Sequence, residues 1–153
     1  MPVARRLRQL RRLRLLTTGQ DDCRYTGQDD CRRPVDAYMD AKALTDFAPL
    51  AAEGVLIRLL TDSKYTARDA LQAPAARWTR QYDRARPLEV RFTAPRLLHD
   101  RLIIVDGAQV WSLTQSLKDF AGRSPASVLR VDGDMARLKL EAYAEMWASA
   151  QPL

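Results

Sequence analysis

The apolar positions alternate between two rhythms along the chain. Val35–Met39 ("VDAYM") suits a short strand. From there Ala41, Leu44 and Ala48 share one helical face and Gly54 is a natural stop, so the spacing predicts a helix. "VLIRLL", Val55–Leu60, predicts a buried strand. Thr66-Ala-Arg-Asp69 has capping-box spacing and opens a second helix, interrupted or restarted at Pro74, a residue suited to a first turn. Leu71, Ala75, Trp78, Tyr82 and Ala85 form its apolar stripe, which places Trp78 and Tyr82 in the core. A strand follows at Leu88–Thr93, ended by Pro95. "HDRLIIVD", a turn at Gly107 and "QVWSLT" predict a hairpin; "SLKDFAGR" predicts a loop or short helical turn, and "ASVLRVD" a further strand. Asp134 can cap a last helix, Met135–Ala150, with Met135, Leu138, Ala142 and Met146 on one face. The order β-α-β-α-β-β-β-β-α predicts an α/β fold, a mixed β-sheet flanked by helices.

Charge divides the chain in two. The net charge of +6 comes almost wholly from residues 1–34, where nine Arg stand against four Asp. That segment opens with an Arg-Leu tract and continues with a tandem repeat, "TGQDDCR" at Thr18–Arg24 and again at Thr26–Arg32. As a helix the tract would be basic and amphipathic, suited to nucleic acid or an anionic membrane surface. The favoured reading is a disordered basic arm over residues 1–33, followed by one domain over residues 34–153. An eight-residue period is too short for a solenoid repeat. Both cysteines, Cys23 and Cys31, lie in the arm. With a single histidine they fall short of the four ligands of a structural zinc site, so no metal is expected. No run of apolar residues is long enough to span a bilayer, and no secretory signal is visible. A soluble, cytoplasmic protein is expected.

That single histidine, His99, stands at the mouth of the most apolar run, "LLHDRLIIVDG". Leu102–Val105 is apolar without alternation, as in a strand covered on both faces. On a strand, His99 and Arg101 would project to one face while Asp100 points away, and Asp106 would leave the far end before the turn. Neutral imidazole is a competent nucleophile or general base near pH 7. Guanidinium grips phosphate oxygens in a fork. The pair suits phosphoryl chemistry.

His99-Asp-Arg101-Leu-Ile-Ile-Val-Asp106 resembles the H-x-K-x4-D motif of the phospholipase D superfamily. After six further residues the family continues G-[ST]-x-N, where this chain has Leu113-Thr114-Gln115-Ser116. "SLKDFAGRSPASVLRVD" and "VDAYMDAKALTDF" resemble a bacterial subgroup whose motif reads H-D-R followed by S-L-K-D. The resemblance covers about Val35 to Trp147. It implies a phosphodiesterase site in which His99 is nucleophile or acid and Arg101 stands where lysine grips phosphate. It further implies that Thr114 supplies a hydroxyl to phosphate and Asp106 orients its neighbours. Ser116 replaces an asparagine, and Lys118 close behind offers an ammonium. The family chemistry uses two histidines and no cofactor. A chain with one must therefore pair with a second copy, so the resemblance implies a homodimer, most plausibly acting on nucleic acid. Two alternatives keep the fold. One is a non-catalytic phosphate- or nucleic-acid-binding module, with Arg91, Arg96 and Arg101 as a basic rim. The other is a degenerate, inactive scaffold.

Overall fold

The structure, a computed structural model, describes residues 31–153. The arm's Arg-Leu tract and the first copy of the repeat lie outside the described residues. The chain builds β1 (Cys31–Val35), β2 (Leu56–Asp62), α1 (Arg68–Tyr82), β3 (Leu88–Thr93), β4 (Leu102–Val105), β5 (Gln109–Leu113), β6 (Val128–Val131), α2 (Gly133–Ser149) and a two-residue β7 (Gln151–Pro152). Among the described residues one mixed seven-stranded sheet forms, in the order β6-β5-β4-β1-β2-β3-β7. β1, β2 and β3 run parallel, while β4, β5 and β6 return antiparallel as a meander from β1. One face of the sheet packs under α1 and the turns after β1, around Phe47, Leu71, Trp78 and Phe92. The other packs under α2, around Leu60, Leu102, Tyr143 and Trp147. The α/β fold read from the pattern is the one observed, and Trp78 is buried as expected.

Several local expectations are corrected. The first strand is Cys31–Val35 rather than Val35–Met39. Its start includes the last two residues of the second repeat copy and the polar Arg32, because Arg32 is only 2% exposed and donates to Asp106 at 2.6 Å. The helix expected after Ala41 is a single π-turn, Ala43–Phe47, tightening into a 3-10 turn, Ala48–Leu50. Pro49 explains the change, since it has no N–H to continue an α-helical ladder. The Thr66 capping box does not form. The Thr66 hydroxyl is buried and bonds Met39 N, Ala37 O and the Thr61 hydroxyl instead.

The fourth correction concerns the last helix. Met135 and Leu138 are exposed at 56% and 50%, while Tyr143 and Trp147 are buried and Ala136, Leu140 and Met146 pack beside them. Two apolar registers coexist on this helix. The one carrying the aromatic rings buries the larger area and turns inward. Pro74 does not interrupt α1, which runs through it.

Candidate active site at the carboxyl ends of the parallel strands

Two strand-ending acids build the site. β1 ends at Val35 and is followed by Asp36; β2 ends with Asp62. Both carboxylates are fully buried. In open α/β sheets the carboxyl ends of parallel strands are where ligands bind, and here each acid ties down one loop around the entry of β4.

Asp62 accepts from the backbone N–H groups of Arg96, Leu97 and Leu98 at 3.1, 3.0 and 3.1 Å, and from Lys64 N at 2.9 Å. Burial alone would raise its carboxyl, but these N–H groups outweigh it and hold the group below the ordinary value. The bonds fix the segment leading into His99, including Arg96, which sits in the left-handed region at φ 64°. Asp36 accepts from Ser116 Oγ at 2.7 Å, Leu117 N at 2.6 Å and Tyr38 N at 3.0 Å. Burial pushes its carboxyl up, and those donors with the Arg101 charge offset only part of the shift.

Between these two anchors the motif opens. His99 is exposed and precedes β4. The Asp100 carboxylate turns to α2, where the Lys139 ammonium and the Tyr143 hydroxyl donate to it. Burial would raise Asp100, but those two donors and the charges of Lys139 and His99 bring it below the ordinary value. Burial and Asp100 push the Tyr143 phenol up. Arg101 is half-buried and its charge acts on Asp36, so Asp100 and Arg101 serve opposite sides, as the two-residue period predicts. Arg101 Nε is buried with no hydrogen-bond partner. The Arg101 carbonyl accepts from Leu113 N at 2.9 Å, tying this segment to β5.

The structure does not gather every residue singled out by sequence. Asp106 stands at the far end of β4, where its carboxylate accepts from Arg32 and from Cys31 N at 2.8 Å. It orients β1. Thr114 is exposed, and its hydroxyl bridges to Ser127, accepting from Ser127 N at 2.9 Å. The Ser116 hydroxyl donates to Asp36 or to Tyr38 O, which occupies its single proton. Lys118 is half-buried, and its carbonyl accepts from Lys42 Nζ at 3.1 Å. Arg91 leaves the expected basic rim: its guanidinium stacks on Trp147 at 4.7 Å and caps the Trp147 carbonyl at 2.9 Å. Asp36 and Asp62 were not singled out by sequence. The signal was an acid closing each apolar strand, "RPVD" and "LLTD". Among the described residues no three His, Cys, Asp or Glu side chains converge on a metal position.

Solved structures carry the same architecture. Nuc from Salmonella typhimurium, a phospholipase D family member, superposes with a TM-score of 0.60 at 14% identity, over 95% of this chain and 90% of that one. The fold is phospholipase D-like. NucT from Helicobacter pylori matches with a TM-score of 0.50 at 12% identity, over 97% of this chain and 92% of that one. TrmBL2, an archaeal chromatin protein described with a novel mode of DNA binding, matches at 0.55 and 16% identity, over 99% of this chain but 52% of its own. No protein-family profile and no curated protein matches the sequence. In this phospholipase D-like frame the H-x-R-x4-D run occupies the entry, body and exit of β4. No helix among the described residues is long and apolar enough to cross a membrane.

Proposed function

We propose that the protein is a phospholipase D-like phosphodiesterase acting on nucleic acid as a homodimer. The observation that carries this reading is the exposed His99 at the mouth of β4, beside an Arg101 held against the Asp36 shell. His99 attacks phosphorus, the P–O bond to the leaving group breaks, and a phosphohistidine forms. The His99 of the second copy gives its proton to the leaving oxygen. It then takes a proton from water, whose oxygen displaces the phosphoryl group from the first imidazole. Arg101 and Lys118 supply positive charge to the phosphate oxygens.

A second reading, binding without turnover, is favoured by the engagement of the Ser116 and Thr114 hydroxyls within the fold. The likeness to TrmBL2, described as DNA-binding, supports it too. Hydrolysis of a chromogenic phosphodiester separates the two readings. Turnover by the purified chain that disappears in His99→Ala, with a rate that rises with dimer content, supports the enzyme. Full activity in His99→Ala would falsify the catalytic assignment. Salt-sensitive DNA binding with no turnover assigns the binding module.

A further inference from the structure

The aromatic pair at the rim of this site is not core. Tyr38 and Tyr65 are exposed at 37% and 40%, yet their ring centroids lie 4.8 Å apart. Tyr38 follows β1 and Tyr65 follows β2, so both stand at the carboxyl ends of the parallel strands. Tyr38 is part of the Asp36 shell. Its N–H donates to Asp36 at 3.0 Å and its carbonyl accepts from Ser116 at 2.8 Å.

A buried clamp holds the two loops together. Thr66, next to Tyr65, accepts from Met39 N at 2.9 Å and donates to Ala37 O at 3.0 Å, the two neighbours of Tyr38. Thr61 backs it, its single proton going to the Thr66 hydroxyl at 2.7 Å or to Asp36 O at 2.8 Å. Thr61 and Thr66 are at most 2% exposed. Two rings are thus presented to solvent on backbone that is fixed from behind, which lowers the ordering cost of binding against them.

We propose that Tyr38 and Tyr65 form a stacking platform for an unpaired nucleobase of a single strand whose phosphate lies in the His99 site. Aromatic faces stack on any base, so the platform selects single strands over duplex rather than one sequence over another. This rests on the nucleic-acid part of the proposed function but not on turnover.

The test is fluorescence anisotropy with a labelled single-stranded oligonucleotide, the same strand with abasic sites, and the duplex. The native chain should bind the normal strand about tenfold more tightly than the abasic one, and more tightly than the duplex. Y38S/Y65S should lose that preference and Y38F/Y65F should keep it, since stacking needs the ring and not the hydroxyl. If the double serine variant does not melt cooperatively, Y38S and Y65S singly carry the test, each losing part of the preference. A preference that survives Y38S/Y65S overturns the platform, as does native binding that is equal for normal and abasic strands or for strand and duplex. His99→Ala should keep the base preference. Base preference in a chain without turnover sinks the catalytic reading and leaves the platform standing; turnover without base preference does the reverse.

Discussion

The two ends of the sheet bury charge in opposite ways. At the carboxyl ends of β1 and β2 the buried groups are acids, Asp36 and Asp62, and their partners are mostly loop N–H groups. At the other end the buried group is a base, Arg32, whose partners are a carboxylate and a carbonyl. Arg33, Arg58 and Arg91 lie nearby on the Trp147 ring at 5.1, 5.5 and 4.7 Å. An acid that gathers N–H groups organises loops, and loops carry His99, Tyr38 and Lys118. A base that pairs with the turn after β4, and arginines that stack on the Trp147 ring of α2, organise strands and a helix. The first end is built to present residues and the second to hold the frame.

Removing each anchor should break the two ends differently. Asp62→Ala leaves the buried N–H groups around Leu98 without an acceptor and should cost about 4 kcal/mol of stability by denaturant melting. The loop before His99 loses its tether, so under the proposed phosphodiesterase function turnover per folded molecule should fall as well. Arg32→Ala breaks a nearly buried pair and should cost about 3 kcal/mol. Its effect should be confined to stability, with turnover per folded molecule unchanged. Equal loss of turnover in both variants would erase the distinction between the ends.

Much of this was legible from the pattern. Leu102–Val105 read as a strand covered on both faces, and all four residues are buried. The serving of opposite sides by Asp100 and Arg101 followed from strand alternation alone. What was not legible rests on partners distant in sequence. Arg32 is a strand residue only because Asp106, 74 positions on, accepts its charge. Thr66 looks like a helix cap locally, but Ala37 and Met39 arrive from the loop after β1 and take its hydroxyl. On α2 two apolar registers competed, and the local pattern held no information on where Asp100 and the ring-lined face would lie.

Acidity probes the site end by itself, because its two acids respond in opposite senses. Asp62 is held below its ordinary value, so the stability it adds is complete above the unfolded carboxyl value of about 3.9 and is lost as pH falls through the folded one. Asp36 is raised, so its folded form favours the proton. Its contribution is complete below about 3.9 and is lost as pH rises through the folded value. Melting of Asp36→Asn alongside the native chain from pH 7 to pH 4 should show the native chain gaining on the variant as pH falls. For Asp62→Ala the gap should stay constant over that range and narrow only as pH falls further, below about 3.9. Parallel curves for the two variants would mean that the acids do not differ.

The smallest effect compares two left-handed residues, one in the loop between β3 and β4 and one directly after β4. Arg96 and Asp106 have φ of 64° and 53°, where a side chain normally costs energy. Releasing that strain with glycine gains about 1–2 kcal/mol, and the freer unfolded chain takes back about 0.5–1 kcal/mol. The Arg96 side chain is exposed and only its backbone N–H serves Asp62, so Arg96→Gly should stabilise the fold by about 0.5 kcal/mol. The Asp106 side chain holds both Arg32 and Cys31 N, so Asp106→Gly gives the same backbone relief but loses those bonds and should be destabilising by about 2 kcal/mol. Opposite signs in paired melting curves are the expected result. Destabilisation by Arg96→Gly would show that its side chain, and not only its backbone, belongs to the site end.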